Sequence, residues 1–181
     1  LGAFASGIGN TEAGFVMGSG RLWVRVPETL RFRLQGKKPD YVMAKDMILR
    51  IIGDIGVEGA NYCAMEFCGE AIEQLDIEER MTICNMAVEA GAKNGIIAPD
   101  EKALKYVRSR TKTELEPVTA DADATVAIER EYDVSSFEPC VAKPHLPSNY
   151  ATAHECSETK LDRAYIGSCT GGKYTDFLAA A

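Results

Sequence analysis

Leu30-Arg31-Phe32-Arg33-Leu34, followed by Ala44-Lys45-Asp46-Met47-Ile48-Leu49-Arg50-Ile51-Ile52, decides the fold class. In the first run apolar and charged residues alternate, the period-two signature of a half-buried strand. In the second, Ala44, Met47, Ile48, Ile51 and Ile52 recur at helical spacing. Gly36-Lys37-Lys38-Pro39 ends the strand, and Gly53 and Gly56 mark the end of the helix. Upstream, residues 21–26 alternate Leu22, Val24 and Val26 with Arg21, Trp23 and Arg25, which predicts a second half-buried strand joined through Pro27-Glu28-Thr29. Residues 1–20 are rich in glycine and alanine. Small residues there fit a helix packed closely on neighbouring backbone, with Gly9-Asn10-Thr11-Glu12 as a helix stop followed by a cap. Gly7-x-Gly9 follows no strand and makes no dinucleotide fingerprint.

Downstream, residues 62–67 form a short apolar strand carrying Glu66 and flanked by Cys63-x4-Cys68, a weak metal signal. Asp76 and Glu79 make a capping-box start for a helix over 77–90, with Gly91 where a C-cap belongs. Thr82, Asn85 and Glu89 stand at i, i+3 and i+7 and share one face. Around them Met81, Ile83, Cys84, Met86, Ala87, Val88 and Ala90 make the helix apolar on nearly every side, which predicts burial. A buried Glu89 is costly unless paired, bonded or protonated. Burial that raises a carboxyl pKa is also how an acid or base is prepared. The structural alternative is a salt-bridged or capping glutamate, though a helix C-terminus disfavours negative charge.

Ile96-Ile97 and Pro99-Asp100 give a strand and the start of a helix with Leu104 and Val107 inward. Residues 111–124 are polar and acidic, residues 124–132 and 137–142 read as strands, and Lys143-Pro144-His145-Leu146-Pro147 opens a loop around Ser148-Asn149-Tyr150. His145 and the His154-x-Cys156 pair lack a third spaced ligand. An apolar strand over 163–166 then enters the turn Gly167-Ser168-Cys169-Thr170-Gly171-Gly172-Lys173, and Phe177 and Leu178 begin a helix. Strand, turn and helix place Cys169 at a sheet mouth near a helix N-terminus, where a thiolate or an anion is favoured. A small buried cysteine in a glycine turn is the other reading.

The 181 residues suit one large domain or two small ones, with 46% hydrophobic content. Twenty Lys+Arg against 27 Asp+Glu give a net charge of -7, which argues against a nucleic-acid surface or an anionic membrane face. No apolar run approaches the ~18 residues of a membrane span. Six irregularly spaced cysteines suggest core residues or ligands in a reducing compartment. The chain starts without Met and stops inside a helical pattern, so both ends read as cut from a longer protein.

Thr82-Ile83-Cys84-Asn85-Met86-Ala87-Val88-Glu89-Ala90-Gly91 together with Ile166-Gly167-Ser168-Cys169-Thr170 resembles the aconitase superfamily. Val26-Pro27-Glu28-Thr29, Ala44-Lys45-Asp46, Ile51-Ile52-Gly53-Asp54-Ile55-Gly56, Glu66-Phe67-x-Gly69 and Val141-Ala142-Lys143-Pro144-His145 are similar to its isopropylmalate dehydratase large-subunit branch, of plant and algal type. The resemblance implies part of an iron-sulfur hydro-lyase that isomerises 2-isopropylmalate to 3-isopropylmalate by dehydration and rehydration in leucine biosynthesis. It implies Cys169 as one of three cysteine ligands of a [4Fe–4S] cluster and therefore as a metal ligand, Asn85 beside the cluster, and Glu89 as the catalytic carboxylate. The remaining ligands, a catalytic histidine and a small-subunit partner lie outside this chain, which is expected to be inactive alone. The implied compartment is the plastid stroma for a plant or algal protein and the cytoplasm otherwise. A homoaconitase, a longer-chain malate isomerase and a non-catalytic aconitase-like binding protein are the alternatives. The expected architecture is α/β, with mixed sheets flanked by helices in a partial large-subunit core. Residues 1–110 form the core segment with the Asn85/Glu89 helix, 111–160 a surface excursion with short strands, and 161–181 the start of a further α/β unit carrying Cys169.

Overall fold

The computed structural model describes residues 3–114 and 116–181. Leu1 and Gly2 of the glycine-rich start, and Leu115 of the acidic stretch, lie outside the described residues. In chain order the elements are α1 (Asn10–Ser19), β1 (Thr29–Gln35), α2 (Ala44–Ile55), β2 (Ala64–Cys68), α3 (Glu70–Gln74), α4 (Ile77–Asn85) and β3 (Asn94–Ile96). There follow α5 (Glu101–Arg108), β4 (Ile128–Asp133), β5 (Cys140–Ala142), β6 (Tyr150–Thr152) and α6 (Tyr174–Ala180).

Four strands pair in the order β3-β2-β1-β4, every pairing parallel. Parallel neighbours require a crossover, and α2 supplies it between β1 and β2 while α3 and α4 supply it between β2 and β3. β1 buries Leu30, Phe32 and Leu34 and turns the residues between them to the other face. Phe32 lies opposite Phe67 in register, and their rings stack at 5.7 Å. Met47, Ile48, Ile51 and Ile52 of α2 are fully buried and join these rings in one core cluster. At about 25 cal/mol per Å² of apolar surface removed from water, this interface is the main source of stability. The opposite face of the sheet is charged: Arg31 Nε meets Glu66 at 3.3 Å and Arg33 Nη2 meets Glu129 at 2.7 Å. Parallel sheets normally bury both faces. Here the second is faced with cross-strand ion pairs.

The segment 111–160 contributes β4 to the main sheet and the antiparallel ribbon β5-β6, which packs on α2. Tyr150 is thus in a strand where a loop was expected. Prolines at 144 and 147 hid a three-residue strand too short to show a period.

Several sequence expectations are corrected. Residues 21–26 form no strand, and Trp23 is 93% exposed. Alternation makes a strand only where a neighbour can complete the ladder, and β1 already pairs on both sides. The helix near the start begins at Asn10, with Gly9 as its cap residue and Glu12 accepting from Gly9 N at 2.9 Å. It buries no residue, and open space surrounds Gly14 and Gly18, so the expected close packing is not found among the described residues. Residues 163–166 are not a strand either; Tyr165 is 88% exposed.

Gly53 does not end α2, which continues to its cap at Gly56. A Cβ at Gly53 would lie 2.6 Å from Cβ of Tyr150, so this glycine lets β6 approach the helix. Gly53→Ala is therefore expected to destabilise the complete protein by about 1–3 kcal/mol through overpacking, although alanine gains about 1 kcal/mol of helix propensity. Urea unfolding measures the balance, and equal or higher stability in the variant would contradict the close approach.

Candidate functional site

α4 is the element on which the site is built. Asp76 accepts from Glu79 N at 2.8 Å while its own N–H donates to Glu79 at 3.1 Å, the reciprocal capping box read from the sequence. Arg80, almost fully buried, donates to Asp100 Oδ2 at 2.7 Å and to Glu73 O at 3.1 Å, tying α4 to the start of α5. The Arg80 hydrogen bond pulls the Asp100 carboxyl down to about 2. Ile83, one turn further along α4, is buried in the core with α2.

The helix predicted over 77–90 is α-helical only to Asn85 and continues as a 3₁₀ turn over Met86–Ala90, closed by Gly91 at φ 85°. A 3₁₀ turn advances about 120° per residue against about 100° in an α-helix, so Glu89 is rotated by roughly 80° from its place above Asn85. Val88 and Asn85 are exposed, so full burial of this segment is corrected. Glu89 is half-buried, but its Oε2 is enclosed and has no hydrogen-bond partner. An enclosed carboxylate oxygen without a donor is costly.

The glycine turn docks on this helix. Gly171 and Gly172 fold back on Gly167: a Cβ at Gly171 would lie 2.8 Å from Gly167 O, and Gly172 sits at φ 97°. Ser168 takes φ 78°, a region uncommon for a side chain other than glycine or asparagine. Thr82, only 4% exposed, accepts from Lys173 Nζ at 2.6 Å. Its hydroxyl also lies 3.3 Å from Thr170 O and 3.2 Å from Glu78 O. With one proton it donates to one of them at a time. Glu78 receives both the amide (3.0 Å) and the hydroxyl (2.7 Å) of Thr175, fixing α6 to the first turn of α4.

Cys169 follows Ser168 in this turn and is exposed, unlike the other five cysteines. Burial pushes the Cys84 thiol up to about 11 and, with Asp46 beside it, the Cys140 thiol up to about 12. Burial also raises Cys63 and Cys68. Cys169 is the one exposed thiol of the six, so it is the best placed to ligate. The expected helix N-terminus beside it is corrected: α6 starts at Tyr174, with four residues between, and the dipole effect is confined to the first turn. Cys63 with Cys68, and His145, His154 and Cys156, belong to no group of three or more side chains placed to hold a metal among the described residues. A cleft of about 420 Å³ opens where the turn meets α2 and α4, lined by Thr82, Gly167 and Thr170 but not by Cys169, Asn85 or Glu89. The structure thus joins the cysteine turn to α4 through Thr82, singled out from the sequence, through Lys173, read there as the end of the turn without a contact, and through Thr175, which the sequence did not mark. A long side chain that reaches a helix 91 positions earlier leaves no periodic trace.

The Thr175 hydroxyl and then its amide hold the Glu78 carboxyl below its ordinary value of 4.5. A depressed folded pKa stabilises above the ordinary value, and that stabilisation is lost as pH falls through the folded value. The docking of α6 is therefore expected to loosen below pH 4.5. Thr175→Val should move the Glu78 titration up toward 4.5, read by carbonyl NMR of the selectively labelled complete protein; an unmoved titration would contradict the assignment.

Residues 1–156 match the model of the aconitase family (aconitate hydratase). All 181 residues align with the 3-isopropylmalate dehydratase large subunit, chloroplastic, of Arabidopsis thaliana at 58% identity, over 36% of that protein. They align at 48% identity with large subunit 1 of the same enzyme from Methanopyrus kandleri, over 43% of its length. The large subunit from Aquifex aeolicus is 49% identical over 42% of its length. The chain spans about two fifths of the length of the curated relatives it matches. No helix among the described residues is long and apolar enough to cross a membrane.

Proposed function

The chain belongs to the aconitase family, and on that premise we propose that it is part of a hydro-lyase that isomerises 2-isopropylmalate to 3-isopropylmalate in leucine biosynthesis. The carrying observation is the docking of the exposed-cysteine turn onto the helix that bears Asn85 and ends near Glu89. The identity with large subunits named for this reaction supports the substrate.

The donor set fits one corner of a [4Fe–4S] site. Cys169 is a free, exposed thiol on a turn held from behind, and the enclosed Glu89 oxygen calls for a donor or a positive centre. Cys169 would hold the cluster with two cysteines from elsewhere in the protein. When bound, the cluster supplies a Lewis-acidic iron that polarises a hydroxyl or carboxylate oxygen.

This chain's residues do the rest of their share by position. Glu89 gives a proton to the hydroxyl that leaves, so that water departs while a base outside this chain takes the proton from the neighbouring carbon. In rehydration Glu89 takes a proton from the incoming water, and carbon receives one in return. Asn85 has both an amide donor and a carbonyl acceptor to orient a ligand oxygen. The base belongs to a small-subunit partner, consistent with the large-subunit names of the relatives. The proposed compartment is the plastid stroma if the protein is of plant or algal type, which the chloroplastic relative supports, and the cytoplasm otherwise.

Glu89→Gln in the complete enzyme with its small subunit is expected to keep its iron per chain while kcat falls by roughly 10²–10⁴-fold, the range for loss of a general acid. Undiminished turnover would overturn the role of Glu89. Faster turnover of homoaconitate than of isopropylmalate by the wild type would overturn the substrate.

A further inference from the structure

Lys173 is four-fifths buried, and three acceptors surround its ammonium: Thr82 Oγ1 at 2.6 Å, Thr170 O at 3.1 Å and Asp176 Oδ2 at 3.7 Å. Thr82 and Thr170 accept hydrogen bonds from it, and Asp176, beyond hydrogen-bond distance, offsets its charge as an ion pair. Two of the partners are themselves buried: Thr82 on α4, and Thr170, which follows Cys169 directly. The third belongs to α6, whose first turn Asp176 also closes by accepting from Lys173 N at 2.9 Å. One side chain therefore links the helix of the site, the backbone next to the thiol and the helix that follows. The other direct bond between Thr82 and Thr170, at 3.3 Å, is long and competes with Glu78 O for the single hydroxyl proton.

We propose that Lys173 is a positioning residue: it fixes the carbonyl of Thr170 against α4 and thereby sets where the Cys169 thiolate points relative to Asn85. The inference rests on the reading of Cys169 as a cluster ligand. The glycines around it leave the turn with little stiffness of its own, because Gly171 and Gly172 carry no side chain and glycine is the most permissive of residues. The orientation of the thiol thus comes from bonds made outside the turn. A charged donor makes stronger ones than a neutral donor.

The test compares Lys173→Met and Lys173→Arg with wild type in the complete enzyme, prepared anaerobically. Lys173→Met keeps the stem and removes every donor; Lys173→Arg keeps charge and donors. Lys173→Met is expected to lose iron on air exposure roughly tenfold faster, to broaden the electron paramagnetic resonance lines of the one-electron-reduced cluster, and to speed amide exchange over residues 167–173 by a similar factor, the scale of a lost charge-assisted hydrogen bond. Lys173→Arg should restore each within about twofold. Iron loss, line shape and exchange all unchanged in Lys173→Met would overturn the proposal. So would accelerated iron loss that Lys173→Arg fails to restore while exchange stays normal. If wild type itself binds no iron, the cluster reading fails instead, and amide exchange alone decides whether Lys173 holds the turn: faster exchange in Lys173→Met retains the fastening, and unchanged exchange removes it.

Discussion

The burial of α2 against the stacked Phe32 and Phe67 rings is the contact from which the remaining geometry follows. A parallel sheet cannot stand with a bare apolar face, and α2 covers it with Met47, Ile48, Ile51 and Ile52. α4 packs on α2, Arg80 ties α4 to α5, and the cysteine turn rests on α4. α4 is itself part of the core through Ile83, and the turn is bonded to it through Lys173. A disturbance of α2, as at the Gly53 contact with Tyr150, would reach the turn through α4 and across the cleft that the start of α2 shares with the turn.

Charge is distributed in keeping with this arrangement. On the second sheet face Arg31, Arg33, Glu66 and Glu129 neutralise one another at partly exposed positions, where each pair contributes about 0–1 kcal/mol. Two other charged groups do more specific work. Arg80 is buried and paired, so removing its partner would strand a cation in the core. Lys173 is buried and surrounded by acceptors next to the candidate ligand. The cysteines divide in the same way, with burial keeping Cys84 and Cys140 protonated while Cys169 faces outward.

Much of this was legible because the relevant signals are local. The two periods at 30–34 and 44–52 specify β1 and α2, and the Asp76/Glu79 pair specifies the start of α4. The sharing of one face by Asn85 and Glu89 was read from an α-helical period that the chain abandons at Met86, a change of winding that spacing cannot announce. Residues 21–26 and 163–166 show the converse: their patterns are strand-like, but strands exist only in pairs, and no pairing reaches them among the described residues. Gly53 looked like a stop because a glycine needed for close approach and a glycine needed for a cap are the same letter. The cysteine turn was found from its residues. Its anchoring by Lys173 and Thr175 depends on side-chain reach across the fold and became visible only in three dimensions.

The account stands on Cys169 as a metal ligand presented by α4. The most direct measurement is iron per chain in the complete protein, purified without oxygen, for wild type and Cys169→Ser. The account predicts an intact cluster with absorption near roughly 400 nm in wild type, and near-complete loss of both iron and absorption in Cys169→Ser with unchanged circular dichroism. Full iron retention in a folded Cys169→Ser protein would contradict it.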